Sequence, residues 1–157
     1  MIIGFIGFGK VAQNLVGLIH SEDIEFITSD EKRSPKTAEN IKNSDVTILK
    51  TFREVAAKSD IVISATSPKN ALTAASQYGK FTKGIYLDLN NVSPATTFEI
   101  NEQVDNLVDG AIIGKIDSQN PILYLSGENA ENLLFLNEYL QTKIISDRIG
   151  DASKLKL

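Results

Sequence analysis

The first twenty residues constrain the fold more than any other stretch of this chain. Met1 to Ile6 is a short apolar run of the length and β-branched content expected for a strand buried on both faces. Residues 7–12 then read G-F-G-K-V-A, a G-x-G-x-x-A pattern, and apolar residues recur after it at helical spacing. A strand that ends in such a turn and continues as a helix is typical of a dinucleotide-binding site.

Each small residue of this turn has a physical role in that interpretation. Gly7 permits the tight turn, Gly9 has no Cβ to obstruct a phosphate, and Ala12 lets the helix lie close to its strand. The N–H groups of the first helical turn and the helix dipole both favour an anion there. The alternative is that the glycines serve only the turn itself. The predicted cofactor-binding residues here are Gly7, Phe8, Gly9, Lys10, Val11 and Ala12.

The composition excludes several classes of protein. The chain has 157 residues and a net charge of −4, so it lacks the basic surplus with which general nucleic-acid binders meet phosphates. It has no cysteine, which excludes disulfides and thiolate metal sites, and we predict no metal. No apolar run approaches the roughly 20 residues of a membrane span, and the N-terminus lacks the layout of a signal peptide. We expect a cytoplasmic protein that binds neither nucleic acid nor membrane.

Strands and helices are predicted to alternate along the chain. Further strands are expected at 24–28, 46–49, 61–65 and 85–89. Three helices are predicted to begin at Ser-Pro pairs, because serine is a good N-cap and proline suits the first helical position. These pairs are Ser34-Pro35, Ser67-Pro68 and Ser93-Pro94. Such alternation forms βαβ units, so we predict an α/β fold of the Rossmann type, doubly wound, with a mainly parallel sheet and helices on both faces.

The last third of the chain departs from this alternation. Two or three C-terminal strands, at 107–114, 122–126 and 143–145, extend the predicted sheet, and a helix is expected from Ala130 to Leu140. Segment 115–121 is polar and rich in turn residues, which predicts a hairpin or an exposed loop. We find no repeat or linker and assign residues 1–150 to one domain.

Three segments make a resemblance to a known family specific. They read GFIGFGKVAQNL from Gly4, SDIVISATSPKNAL from Ser59 and GIYLDLNNVSPATTFEI from Gly84. In order and spacing they resemble the cofactor domain of the β-hydroxyacid dehydrogenases, which include 6-phosphogluconate and 3-hydroxyisobutyrate dehydrogenases. The D-x-[NS]-[NST]-x-x-P pattern over 88–94 is the most discriminating, since pyrroline-5-carboxylate reductases share the first motif but lack this one. The likeness is closest to archaeal members of unassigned substrate.

This resemblance implies NAD(P)-dependent oxidation of a small-molecule 3-hydroxy acid, or reduction of its keto form. Residues 151–157 resemble the start of the family's long interdomain helix, and Lys156 takes the place of its catalytic lysine. In the family that lysine is the general acid/base for the substrate hydroxyl, while hydride passes to nicotinamide. Family members continue into a helical domain that makes the dimer. It is absent from this sequence, and a homodimer is expected for a full-length form.

Two features depart from the family pattern. The V-S-G-G substrate loop aligns with residues 112–115, where Ile113 replaces the serine and Lys115 the second glycine. Gly114 and Lys115 remain the predicted substrate-binding residues, although Lys115 either attracts an acid or is simply solvated. Lys156 lies close to the terminus, so we expect it to fray, with no walls to lower its pKa. The chain is then the cofactor half of a dehydrogenase, inactive alone, or a non-enzymatic NADP-binding sensor or interaction module.

The exit of the second strand carries mixed signals about the cofactor. Asp30 is placed to accept hydrogen bonds from the ribose hydroxyls of NAD and to repel a 2′-phosphate. Arg33 and Ser34 instead offer a guanidinium fork and a hydroxyl at a helix N-terminus, which suit a 2′-phosphate. With Pro35 they resemble the turn of NADP-using family members. We predict NADP, with NAD as the alternative, and assign Ser29, Arg33 and Ser34 to this site.

Polar residues also follow the fourth and fifth strands, at the carboxyl edge of the sheet where ligands bind in this fold. Ala65, Thr66 and Ser67 are expected to contact the cofactor, to cap the next helix, or both. Asn90 and Asn91 lie where family members place polar groups near nicotinamide. All five residues belong to the predicted cofactor site.

Overall fold

The computed structural model describes residues 1–32, 34–115 and 120–156. Within these ranges one sheet contains the strands β1 (Ile2–Ile6), β2 (Glu25–Ser29), β3 (Thr47–Leu49), β4 (Ile61–Ser64), β5 (Ile85–Asp88), β6 (Leu107–Ile113), β7 (Ile122–Ser126) and β8 (Gln141–Ser146). The α-helices are α1 (Lys10–Leu18), α2 (Pro35–Lys42), α3 (Phe52–Lys58), α4 (Ala71–Tyr78), α5 (Pro94–Asn101) and α6 (Asp151–Lys154). Segments of 3₁₀ helix span Pro68–Asn70, Gly79–Phe81 and Ala130–Glu138.

The strand order in the sheet is β3-β2-β1-β4-β5-β6-β7-β8. Neighbouring strands from β3 to β6 are parallel, β7 is antiparallel to β6, and β8 is parallel to β7. The chain moves from β1 to β2 and β3 on one side and then returns to the other side of β1 with β4, so the order reverses at β1. This topology confirms the predicted Rossmann-type sheet, and β7 and β8 form its C-terminal extension.

Each face of the sheet carries a hydrophobic core. One core contains Phe5 of β1 and Leu15 of α1, and the other contains Val62 of β4 and Val55 of α3. Successive residues of a strand point to opposite faces, so a strand covered on both sides needs apolar residues at nearly every position. The central strands are therefore recognisable in the sequence as short continuous apolar runs.

The helix predicted at 130–140 is present as a 3₁₀ helix over Ala130–Glu138. Its buried residues are Ala130, Leu133 and Leu136, which recur at every third position. A helix with three residues per turn places all three on one face, and this segment packs against β8. The spacing of the buried residues thus accounts for the tighter helix.

The Ser-Pro pairs are not equivalent in the structure. Ser34 and Ser93 are N-caps. Their hydroxyl oxygens accept hydrogen bonds from the backbone N–H groups of Thr37 in α2 and Thr96 in α5. Ser67 makes no such bond, and the chain after it forms the 3₁₀ turn Pro68–Asn70 before α4 begins. The capping role considered for Ser67 is therefore not adopted.

Some predictions fall on positions beyond the described ranges. Arg33 and residues 116–119 of the predicted hairpin or loop lie outside the described residues. In the part of the chain that is described, no helix has the length and apolarity needed to cross a membrane. Nor do the described residues include a group of three His, Cys, Asp or Glu side chains that could hold a metal ion.

Candidate functional site

The turn between β1 and α1 requires glycine at one position and leaves the other open. Gly7 has a φ of +91°, and an added Cβ would lie 2.3 Å from the carbonyl oxygen of Ala65, so only glycine fits there. Gly9 is the N-cap of α1 with an ordinary φ of −95°, and an added Cβ would meet no protein atom within 4 Å. Neither the backbone nor the packing demands a glycine at position 9.

The open space at Gly9 lies at the N-terminus of α1. The N–H of Gln13 donates to the carbonyl of Gly9, which is the first helical hydrogen bond. The N–H groups before it have no acceptor within a helix, and together with the helix dipole they favour an anion. A turn that serves only to join β1 to α1 explains Gly7 but leaves Gly9 unexplained. The residues therefore fit the pyrophosphate of a dinucleotide.

The other residues of the predicted turn differ in what they present. The Phe8 side chain is 1% exposed and packs edge-on against Phe5, with ring centroids 5.6 Å apart. Ala12 is fully buried, so it and Phe8 can reach a ligand only through their backbone. The side chain of Lys10 is exposed, and Val11 lines a cleft beside the turn.

Two clefts flank this turn at the carboxyl edge of the sheet. The first, the β2-side cleft, has a volume of about 220 Å³, and its lining includes Gly7, Glu31, Lys32, Phe52, Thr66 and Tyr78. The second, the lysine cleft, has a volume of about 370 Å³, and its lining includes Val11, Leu89, Asn91, Ile112, Gly114 and Lys156. Because the strand order reverses at β1, this edge is where ligands bind in sheets of this topology.

Lys156 lines the lysine cleft, and most of its side chain is buried. Its side chain is 7% exposed, and its Nζ donates a hydrogen bond of 2.5 Å to the backbone carbonyl of Asn90. The same Nζ lies 4.0 Å from Oδ1 of Asp109. Burial lowers the pKa of Lys156, while the negative charges of Asp109 and Asp88 oppose that shift.

The prediction that Lys156 frays without walls to desolvate it is therefore wrong. The segment before it is held by Asp109, whose carboxylate accepts hydrogen bonds from the N–H groups of Gly150 and Ser153 at 3.0 and 2.8 Å. The Ser153 hydroxyl also donates to Asp109, at 2.7 Å. Asp109 lies on β6, which is distant from Lys156 in sequence. The prediction considered only the position of Lys156 near the terminus and so did not include these contacts.

Asp88 and Asp109 are functional candidates that the sequence reasoning missed. They are register partners on the parallel strands β5 and β6, so both carboxylates lie on the same face, and both are buried. Burial raises the pKa of Asp88 to about 6, Asp109 adds to the rise, and Lys156 opposes it. The signal available in the sequence was a charged residue inside each of two otherwise apolar strands.

The two asparagines after β5 have different environments. Asn90 is 2% exposed, and its side-chain oxygen accepts from the N–H of Thr66 at 2.8 Å. Its side-chain nitrogen donates to Ser64 and to Asp88, at 2.9 and 3.1 Å. Asn90 thus joins the ends of β4 and β5, whereas the exposed Asn91 lines the lysine cleft.

The residues after β2 and β4 are placed as follows. Ser29 is buried and its hydroxyl oxygen accepts from the N–H of Glu31 at 3.1 Å, while Ser34 caps α2. Glu31 directs its carboxylate to the N–H of Phe52, at the start of α3, at 3.2 Å. After β4, Ala65 approaches Gly7, Thr66 lines the β2-side cleft and Ser67 is exposed.

The loop aligned with the family's substrate-binding motif is only partly in the cleft. Gly114 has a φ of +92° and lines the lysine cleft together with Ile112 and Ile113. Ile113, which stands where the family has a serine, is 39% exposed and offers no hydroxyl. Lys115 is exposed beyond Gly114.

The sheet order, the glycine turn and the flanking clefts define the class of this protein as an NAD(P)-binding, oxidoreductase-like domain of Rossmann type. The chain belongs to the family described as NADP oxidoreductase, coenzyme F420-dependent, whose model matches residues 2–91.

Two relatives are similar to this chain over almost all of its length. The chain is 41% identical over 160 residues to an uncharacterised 28.5 kDa protein of Methanothermus fervidus, with all of this chain and 63% of that protein covered. It is also 37% identical to the solved conserved protein MTH1747 of unknown function, described as structurally similar to 3-hydroxyacid dehydrogenases, with a TM-score of 0.92. That match covers 99% of this chain and 62% of the other, so the chain spans less than two thirds of both relatives.

A more distant structure shares the fold. The imine reductase from Myxococcus stipitatus in complex with NADP+ is 20% identical and superposes with a TM-score of 0.78, covering 99% of this chain and 58% of that one. The expected resemblance to the cofactor domain of hydroxyacid dehydrogenases is confirmed by the similarity to MTH1747.

Proposed function

We propose that this chain binds NADP across the turn at Gly7 and Gly9 and supplies Lys156 as the general acid/base of an oxidoreductase that acts on a 3-hydroxy acid. The observation that carries the proposal is the buried position of Lys156 in the cleft that Val11, at the glycine turn, also lines. A nucleotide binder without chemistry needs no desolvated lysine at that place. This favours an enzyme over a sensor or interaction module.

Four of the predicted cofactor residues line the two clefts, Gly7 and Thr66 on the β2 side and Val11 and Asn91 in the lysine cleft. The turn from Gly7 to Ala12 would hold the pyrophosphate through backbone N–H groups. The β2-side cleft, with Thr66 in its wall, would take the adenosine half, and the lysine cleft, with Asn91, would take the nicotinamide half. When bound, nicotinamide accepts or returns the hydride, and the chain supplies position and a proton site.

Lys156 is suited to exchange one proton with a substrate hydroxyl. An ammonium has three donors, of which one is bonded to the carbonyl of Asn90, while Asp109 lies at an ion-pair distance of 4.0 Å. A further donor can therefore meet the substrate oxygen. Burial also lowers the lysine pKa, which brings the neutral, proton-accepting form closer to working pH. In the oxidation direction Nζ would take the hydroxyl proton, and in the reverse direction it would return it.

The substrate would be anchored differently from the family pattern. Ile113 cannot donate a hydrogen bond, so an acid substrate needs another polar group, and the exposed Asn91 and Lys115 are the candidates near the cleft. The walls on this side include Ile113 and Leu155, both substantially exposed. We therefore keep the prediction that the 157-residue chain has little or no turnover alone, and that a longer form is a homodimer.

NADP is proposed over NAD for reasons at the end of β2. Glu31, one of the two acidic residues there, is engaged with the N–H of Phe52 and is turned to the start of α3. Lys32 lines the β2-side cleft and adds a cation near the expected position of a 2′-phosphate. Asp30 is exposed and remains the feature that would favour NAD.

The proposal is tested by calorimetric titration followed by a substrate screen. NADPH and NADH are titrated separately into the chain, and a full-length form is then screened with 3-hydroxy acids for cofactor reduction at alkaline pH. Tighter binding of NADPH supports the cofactor assignment, and absence of binding by either nucleotide contradicts it. Reduction of NADP by a 3-hydroxy acid that is lost in Lys156→Met supports the catalytic assignment. Turnover that survives this substitution contradicts the role of the lysine.

A further inference from the structure

The Asp109 carboxylate holds the segment that carries Lys156. Its Oδ2 accepts from the N–H of Gly150 at 3.0 Å and from that of Ser153 at 2.8 Å, and its Oδ1 accepts from the Ser153 hydroxyl at 2.7 Å. The Ser153 hydroxyl is also within 2.7 Å of that of Thr97 in α5. Asp109 itself is fully buried. One carboxylate therefore makes three hydrogen bonds to the chain immediately before the lysine.

The same carboxylate faces the ammonium. Oδ1 of Asp109 lies 4.0 Å from Nζ of Lys156, and both side chains are almost fully buried. An ion pair removed from water in this way is weakly screened, so each charge strongly affects the other. Among the described residues, the charged groups that act on Lys156 are Asp109 from β6 and Asp88 from β5.

We propose that Asp109 is a positioning residue for Lys156. It fixes the start of α6 through hydrogen bonds and keeps the ammonium in the wall of the lysine cleft through its charge. The inference rests on the proposed function in one respect, namely that Lys156 handles a proton. The geometric relationship between the two side chains does not depend on which substrate is used.

The substitution Asp109→Asn separates the charge from the hydrogen bonds. The amide oxygen can still accept from the N–H groups of Gly150 and Ser153. The amide nitrogen can donate to the Ser153 hydroxyl, which can turn its own hydrogen to Thr97. The fold is therefore retained, as circular dichroism and thermal melting would verify. Only the negative charge beside Lys156 is lost.

The experiment is an NMR titration of the Lys156 side chain in protein with isotopically labelled lysine, assigned by the loss of its signal in Lys156→Arg. In Asp109→Asn the midpoint of the Lys156 titration is expected to fall by about 1 pH unit, because a stabilising opposite charge is removed. A purely structural role, in which α6 detaches and Lys156 becomes solvated, moves the midpoint upward toward that of an ordinary lysine. An unchanged or a raised midpoint contradicts the proposal.

Ser153→Ala provides the control, because it deletes the hydrogen bonds of the Ser153 hydroxyl to Asp109 and Thr97 and keeps the carboxylate. Its Lys156 midpoint is expected to equal that of the unmodified chain, while the amides of 150–154 exchange their hydrogens several-fold faster. Unchanged exchange would show that the hydrogen bond from the Ser153 hydroxyl to Asp109 does not help to hold this segment. A shift of the midpoint as large as in Asp109→Asn would show that the lysine responds to loosening rather than to charge. Either result contradicts the proposal.

These readouts are independent of turnover. If the titration behaves as expected but Lys156→Met retains turnover, the positioning of the lysine stands and the proposed catalytic role fails. If turnover depends on Lys156 but the midpoint of the Lys156 titration is unchanged in Asp109→Asn, the proposed function stands and the positioning role of Asp109 fails.

Discussion

Lys156 donates a 2.5 Å hydrogen bond to the backbone carbonyl of Asn90. Asn90 lies two residues after β5 and Lys156 two residues after α6, so the ends of these elements meet beside the lysine cleft. Asn90 is in turn bonded through its side chain to Thr66, which lines the β2-side cleft. A continuous set of hydrogen bonds therefore runs from one cleft to the other along the carboxyl edge of the sheet. The position of the lysine depends on groups that also shape the cofactor site.

The two glycines of the turn should respond differently to alanine. Gly7→Ala is expected to cost about 3 kcal/mol or more in the free energy of unfolding, because its positive φ and its contact with Ala65 exclude a Cβ. Gly9→Ala is expected to cost less than about 1 kcal/mol, because the space is open and only the N-cap preference is lost. Urea denaturation measures both. Equal costs would show that Gly9 is a structural glycine after all.

The asparagines provide a second matched pair. Asn90→Ala should destabilise the chain by about 1–3 kcal/mol, because Ser64, Asp88 and the Thr66 N–H lose buried partners. Asn91→Ala should leave the free energy of unfolding within about 0.5 kcal/mol and reduce NADPH affinity instead, because its side chain is exposed in the lysine cleft. Urea denaturation measures the free energy of unfolding of both variants, and calorimetry measures their NADPH affinity. A reversal of these effects would mean that the cleft is wrongly assigned.

Asp88 should give the stability a specific pH dependence. Burial raises the pKa of its carboxyl group to about 6 from an ordinary value of 3.8. Between these values the folded chain holds a proton that the unfolded chain has released, so this site's contribution to the free energy of unfolding falls as pH rises and is constant above about pH 6. Urea denaturation at several pH values gives the free energy of unfolding of the unmodified chain and of Asp88→Asn, and the second value is subtracted from the first. The difference is expected to fall by on the order of 2 kcal/mol across this range. A difference that rises or stays level contradicts the assignment.

Lys156 has an exposed counterpart on the same segment. In a full-length form, Lys156→Met should abolish turnover of a 3-hydroxy acid and leave NADPH affinity within about twofold, because the lysine serves the proton and not the cofactor phosphates. Lys154→Met is the matched control. The Lys154 side chain is exposed and bonds Asp151, so its loss should leave turnover unchanged. Steady-state kinetics and calorimetry measure both variants, and equal losses of turnover would remove the special role of Lys156.

The cofactor preference remains a prediction. Arg33→Ala is expected to reverse a preference for NADPH over NADH, because it removes the guanidinium that suits a 2′-phosphate. Calorimetric titration of both nucleotides into both chains measures this. Equal affinities of the unmodified chain for the two nucleotides would remove the idea.

The sequence predicted what depends on local patterns. The glycine turn, the apolar runs and the serines that cap α2 and α5 each depend on residues a few positions apart, and the right-handed βαβ rule then supplied the topology. A helix was predicted at 130–140 but not its 3₁₀ type, because apolar residues at threefold and at α-helical spacing overlap over so short a segment. The packing of this segment against β8, rather than helix propensity, favours the 3₁₀ type.

The environment of Lys156 could not be predicted because it is assembled from distant segments. Its neighbours, Asp109 and the Asn90 carbonyl, become adjacent only when β5, β6 and α6 come together. Proximity to the terminus suggested a solvated lysine, but the Asp109 carboxylate holds the segment before it. A charged residue within a buried strand was the signal that pointed to a partner.

The most direct test of the account is to map NADP+ binding by backbone amide NMR of the chain. We expect the largest shifts at the amides of Gly9, Lys10 and Val11, with smaller shifts at Thr66 and Asn91, because pyrophosphate would lie against the N-terminus of α1. Shifts that are absent from this turn at saturating NADP+, or that cluster at the opposite edge of the sheet, would contradict the central claim.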